Sequence, residues 1–125
     1  NGATASEGLR SPAMAPGSLR REEIFERLGT GVFLSNLHYL NWSDPFEGRI
    51  TGMTRYACIW VENGEPVGPI ETMRWDDGIY RFFGSELEAV TDFRDLIAET
   101  GTYHHRQAGG MLMPGMLLKS MNFTL

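Results

Sequence analysis

The stretch that decides the fold runs from Arg49 to Trp75: Arg-Ile-Thr-Gly-Met-Thr-Arg-Tyr-Ala-Cys-Ile-Trp-Val-Glu-Asn-Gly-Glu-Pro-Val-Gly-Pro-Ile-Glu-Thr-Met-Arg-Trp. Two runs rich in β-branched and aromatic residues are hinged on Asn63-Gly64, a dipeptide that readily takes the positive φ of a type I′ turn. A two-residue turn fixes the register, so Glu62 faces Glu65, Val61 faces Pro66, Trp60 faces Val67 and Cys58 faces Pro69. Glu62 and Glu65 then form a hydrogen-bonded pair, which their like charges tolerate at a solvated tip. Pro66 falls where no donor is required, but Pro69 falls where a ladder bond is lost. The pairing is therefore expected to break or bulge near Gly68-Pro69.

Upstream, Gly31 to Leu40 alternates as a strand with Phe33, Leu37 and Tyr39 on one side and Val32, Leu34, His38 and Leu40 on the other. Both sides are apolar, which predicts a strand covered on two faces. Asn41 to Gly48, with Ser43-Asp44-Pro45, reads as a turn-rich connection that Trp42 and Phe46 pin down. Earlier still, Ser18 offers an N-cap, Glu22 and Glu23 suit a first turn, Ile24, Phe25 and Leu28 form a stripe, and Gly29 is a stop. A helix over Leu19 to Leu28 follows. Residues 1–17, rich in Gly, Ala, Ser and Pro, read as a linker or N-terminal arm, leaving 18–125 as the folded domain.

Downstream, Asp76 or Asp77 can cap a brief helix with Ile79, Phe82 and Phe83 on its apolar side, ended by Gly84. Leu87 to Thr91 reads as a strand, and Asp92 to Glu99 as a short helix with Phe93, Leu96 and Ile97 facing inward. Gly109-Gly110 marks a turn, and a last strand begins near Met116 after Pro114-Gly115. The patterns together predict an α+β fold, predominantly antiparallel β, with two or three short helices.

A chain of 125 residues with 42% hydrophobic and 22% charged residues suits one packed domain. Its net charge of −5 argues against a phosphate-binding surface. The Arg20-Arg21 pair is followed at once by Glu22-Glu23, which cancels most of its field, so no nucleic-acid partner is expected. Apolar runs such as Ala57 to Val61 are far below the ~20 residues that span a bilayer, so no membrane role is expected either. One cysteine cannot make an internal disulfide, which suits a reducing, cytoplasmic setting. The chain opens on Asn1 without a signal-like segment, and is expected to be a piece of a longer protein.

The chemical inventory is thin. Three histidines and one cysteine carry no metal spacing. His38 sits in a strand pattern and Cys58 in the hairpin, each read as a packed residue. His104 and His105 are adjacent, so on a strand their rings point to opposite faces and cannot share one ion. Either alone, with Tyr103 beside them, is a candidate binding residue, as is Trp42, an aromatic that serves equally as core anchor or interface contact. Ser35, Ser43 and Ser120 have no elbow or lysine-serine pattern around them. Glu86 and Glu88 read as a solvated strand face. Gly29-Thr30-Gly31 is too short for a dinucleotide fingerprint. Met111, Met113, Met116 and Met121 crowd the C-terminal segment, where flexible thioethers fill core gaps or line an adaptable groove. No catalytic residue and no metal ligand is nominated.

Several short motifs in fixed order resemble the C-terminal domain of the TldD/PmbA family of intracellular peptidases. They are Gly31-Val32-Phe33-Leu34-Ser35-Asn36-Leu37, Thr51-Gly52-Met53-Thr54-Arg55, and Val61-Glu62-Asn63-Gly64-Glu65 with Pro69-Ile70. Leu87-Glu88-Ala89-Val90 and Pro114-Gly115-Met116-Leu117-Leu118 with Asn122-Phe123 complete the set, and the likeness runs from about Ser18 to Phe123. It implies a β-rich C-terminal domain of a two-domain protein whose missing N-terminal domain carries a zinc-binding H-E-x-x-x-H helix. In the catalytic branch a cysteine in a Gly-rich segment before the last strand adds a further ligand. The matching segment here, Gly101 to Gly110, has none, and Cys58 does not occupy that place.

That departure implies the PmbA/TldE-like branch, a non-catalytic subunit of a zinc peptidase complex that degrades or matures flexible peptides. No cofactor is expected in this chain, and zinc is expected in the parent complex. Its implied partners are the missing N-terminal domain, a homologous subunit in a homo- or heterodimer, and a flexible peptide substrate. Two alternatives stand beside it: a protein-binding regulatory module, as the family's label of modulator of DNA gyrase suggests, and a metal-bearing member in which His104 or His105 replaces the cysteine.

Overall fold

A computed structural model describes residues 11–101 and 109–124. Its spine is β2 (Arg49–Glu62), which pairs antiparallel with β1 (Gly31–Asp44) along one edge. The other edge of β2 is shared. The short strand β3 (Glu65–Pro69) returns from the Asn63-Gly64 turn beside its end, and β4 (Arg74–Gly78) lies beside its start. Thr54 closes the gap between them: its N–H donates to the Met73 carbonyl at 2.9 Å, and its hydroxyl accepts the Met73 N–H at 2.9 Å. A two-residue strand, β7 (Phe123–Thr124), completes the order β1-β2-β4-β7, with β3 alongside β2. The second sheet is a hairpin of β5 (Leu87–Ala98) and β6 (Gly110–Leu118). The fold is thus β-rich α+β, predominantly antiparallel, with short helices, as the patterns predict.

The hairpin register shows how a chain handles proline in a ladder. Glu62 faces Glu65 and Val61 faces Pro66, as expected, but Trp60 then faces Gly68 and Ile59 faces Pro69. Val67 is the extra residue, one position before the expected Gly68. The slip moves Pro69 to a site where it needs no donor, and the ladder resumes with the Ile70 N–H donating to the Cys58 carbonyl at 3.0 Å.

Other expectations are corrected. The helix over Leu19 to Leu28 is instead a 3₁₀ turn (Arg21–Glu23) followed by α1 (Ile24–Leu28). Leu19 cannot start it, because its backbone is bridged to Thr91. Arg20, not Ser18, is the N-cap, and its N–H donates to the Glu23 carboxylate at 3.4 Å. Gly29 is the stop, with φ of 66° and its N–H on the Phe25 carbonyl at 3.0 Å. Asp76 and Asp77 lie in β4, and the brief helix is a π-helical turn, Arg81–Ser85.

Asp92 to Glu99 is largely strand, not helix, since β5 runs through to Ala98. Leu96 faces Leu112 and Ile97 faces Met111, so pairing with an apolar partner strand overrides the local stripe. The expected cap Asp92 sits in a bulge where Thr91, Asp92 and Phe93 oppose Gly115 alone. The final strand correspondingly starts at Gly110, with β7 beyond it, not near Met116.

The core is small: Val61, Cys58, Trp75, Phe82, Leu19 and Leu117, with Thr54, Asp77 and Thr91 as buried polar members. Trp75 meets Phe82 with ring centroids 5.7 Å apart. No residue of β1 is buried, so the expectation of a strand covered on both faces fails. Two bulges in β1–β2 place Tyr39 (φ 52°) and Tyr56 (φ 62°) in the left-handed region, each ring exposed.

Candidate functional site

Of the residues nominated from sequence, Trp42 lies near the end of β1 opposite Ile50 and is 53% exposed. Tyr103, His104 and His105 lie outside the described residues. The turn beyond Trp42 is not pinned by Phe46, whose ring is 96% exposed. Side-chain oxygens hold it instead. Asn41 Oδ1 accepts the Trp42 N–H at 2.9 Å, while Asp44 Oδ1 accepts the N–H groups of Phe46 at 3.0 Å and Glu47 at 3.2 Å. Gly48 (φ 63°) completes the turn, with the Tyr80 ring so close that an added Cβ would stand 2.6 Å from it.

A polar junction ties the two sheets together. The Asp77 carboxylate is fully buried in β4 and accepts three bonds: Gly78 N–H at 2.7 Å, Arg81 Nη1 at 2.8 Å and Asn122 N–H at 3.0 Å. Arg81 continues outward, its Nη2 donating to Ser120 Oγ at 2.9 Å, and Ser120 donates in turn to Glu86 Oε2 at 2.7 Å. Lys119 adds an N–H to the Glu86 carbonyl at 2.9 Å and its Nζ to the Ser85 carbonyl at 3.0 Å. The Ser120 hydroxyl, with Ser85 and Arg81, holds the Glu86 carboxyl below its ordinary range. Glu86 is therefore a junction member and not the solvated strand face expected. Glu88 pairs with Arg27 at 3.5 Å. The one sequence signal for this junction is the Asp77/Arg81 spacing of four.

The junction holds β4, the Arg81–Ser85 turn and the segment before β7 together. The Ser120 hydroxyl donates to the Glu86 carboxylate and accepts from the Arg81 guanidinium, which engages its hydrogen and a lone pair in the junction. The Glu86 carboxyl, held below its ordinary range, is a weakened base. Ser43 and Arg49 similarly hold the Asp76 carboxyl below its ordinary range at the surface. Cys58 is 2% exposed, its thiol directed to the Arg55 carbonyl at 3.4 Å. Among the described residues no three His, Cys, Asp or Glu side chains are grouped to hold a metal ion. No helix among them is long and apolar enough to cross a membrane.

Strands of irregular register around a slender core define a domain of the β-rich α+β class. The chain matches the family described as the PmbA/TldA metallopeptidase C-terminal domain over residues 2–125. It belongs to that family. The match takes in residues 2–17 as well as the span from Ser18 to Phe123. A comparison with curated proteins finds no match.

Proposed function

We propose that this domain is the C-terminal part of a non-catalytic, PmbA/TldE-like subunit in a cytoplasmic zinc peptidase complex that acts on flexible peptides. The observation that carries the reading is the fate of cysteine within a metallopeptidase family. The chain has one, Cys58, and it is enclosed in the β2–β3 hairpin, while the segment 101–110 has none. In this reading the domain walls a chamber and offers strand edges to which extended peptides add through main-chain bonds. Its partners are the N-terminal domain of the same protein and a homologous subunit, with the exposed β1 face at Tyr39, Leu40 and Trp42 as the surface it offers to them.

The test is to incubate the full-length protein with an unstructured peptide, alone and mixed with a catalytic TldD-like subunit, while measuring bound zinc in each. Cleavage is expected only in the mixture, with zinc confined to the catalytic subunit. Stoichiometric zinc and cleavage by the protein alone would overturn the assignment.

A further inference from the structure

Residues 12–19 clasp the second sheet at two points. At the first, the Leu112 N–H donates to the Pro12 carbonyl and the Met14 N–H donates to the Leu112 carbonyl, both at 3.1 Å, a parallel bridge centred on Ala13. At the second, the N–H groups of Gly17 and Leu19 donate to the carbonyls of Thr91 (2.8 Å) and Val90 (3.0 Å), and the Asp92 N–H donates to the Leu19 carbonyl at 2.9 Å. Leu19 and Thr91 are again parallel. Because β5 and β6 are antiparallel, a segment parallel to both must reverse, and it does so between Met14 and Gly17.

The two grips differ. The Leu19 grip is built in: its side chain is buried, and Gly17 admits no side chain, since a Cβ there would stand 2.3 Å from the Val90 carbonyl oxygen. The Ala13 grip is slight. It has two bonds, and neither Pro12 nor Pro16 has an N–H with which to lengthen the ladder. The Ala13 methyl is exposed at the wall of a cleft of about 240 Å³ whose other described walls include Leu96, Ala98, Gly110 and Leu112. Of residues 12–14, Pro12 and Ala13 line that cleft, and Ala13 brings to it a single methyl.

We propose that the Leu112 edge of β6 is a seat for an extended peptide bearing a large apolar residue where Ala13 now lies, and that residues 12–14 are a weak self-ligand that lifts off to admit it. The inference rests on the peptide-handling reading above. Main-chain bonds are equivalent for both occupants, so the side chain in the cleft decides between them. A leucine there buries apolar surface that alanine cannot.

The experiment uses the full-length protein, its Met14→Pro and Ala13→Leu variants, and two unstructured alanine-serine peptides, one with a central leucine and one without. Met14→Pro deletes the donor to Leu112, so the Leu112 amide is expected to exchange with solvent at least ~10-fold faster. The leucine peptide should restore its protection and bind ~10-fold tighter than to wild type. Ala13→Leu fills the cleft from within and should slow Leu112 exchange and weaken the leucine peptide ~10-fold. The peptide without leucine should bind more weakly throughout. Equal binding of the leucine peptide to all three proteins, or a Leu112 amide left unprotected at saturation, overturns the seat while leaving peptide handling intact. Binding to none of them overturns both.

Discussion

The strands β4 and β1 invert the usual relation between composition and burial. β4, Arg-Trp-Asp-Asp-Gly, is polar and five residues long, yet it holds the fully buried Trp75 and Asp77. β1 is fourteen residues long, with Val32, Phe33, Leu34, Leu37, Tyr39, Leu40 and Trp42 along it, yet none of its residues is buried. The cause is cover. β4 lies between β2 and β7, and the chain folds back after it to lay Phe82 against Trp75. β1 is an edge strand touched near its start by α1, where Phe25 meets Phe33 edge-on at 5.5 Å, and its second half is mostly exposed among the described residues. Burial follows position in the sheet and what the chain lays over it, not the composition of the strand itself.

Asp77 is the sharpest place to break that contrast. Asp77→Ala would leave Arg81 and two backbone donors without their acceptor, at a cost of about 3 kcal/mol by urea denaturation. The loss should centre on the last strand, whose Asn122 N–H reports it directly by faster exchange. A change below about 1 kcal/mol would mean that β4 owes its burial to Trp75 alone.

Gly52 is where the two regions touch. A Cβ there would stand 2.9 Å from Leu40 Cδ2 and 3.0 Å from both the His38 carbonyl oxygen and Trp75 Nε1. Leu40 can swing away, but backbone and a packed indole cannot, so Gly52→Ala is expected to cost about 2 kcal/mol. Among the described residues the buried Trp75 indole N–H has no acceptor. Tyr39, across the same bulge, should respond in the opposite direction. Tyr39→Gly removes left-handed strain but adds freedom to the unfolded chain, so the expected net effect is a gain of up to about 1 kcal/mol. A loss of that size would show that the exposed Tyr39 ring, tilted against His38 with centroids 4.2 Å apart, contributes packing.

The parts of the fold legible in the sequence are those decided within a few residues. Asn63-Gly64 dictates its turn, Pro69 forces a bulge, and Gly29 ends a helix. The strand at Arg74–Gly78 and the strand through Leu96-Ile97 were not legible, because β2 and β6 impose them from a distance against a local pattern that reads as helix. The junction was hidden for the same reason: Asp77 looks like a helix cap until Ser120 and Asn122 arrive beside it. Trp42 could be nominated but not placed, since an aromatic in an alternating strand looks the same whether the face above it is covered or bare. Tyr103, His104 and His105 lie outside the described residues, so the sequence alone speaks for them.

The mildest probe works at the outer end of the junction. Ser120 is the main cause of the lowered Glu86 pKa, so Ser120→Ala should move the Glu86 titration upward toward the ordinary carboxylate range, read by carbonyl NMR. The sign of the linked stability follows. A carboxyl whose folded pKa lies below its unfolded value stabilises the fold above the unfolded value, and loses that contribution as pH falls through the folded one. Wild type should therefore be more acid-sensitive than Ser120→Ala in the window just below the ordinary glutamate pKa, with the two curves parallel at neutral pH. Identical acid profiles would mean that Glu86 merely accompanies the junction, and that the burial of β4 is secured by Asp77 and Arg81 without help from the surface.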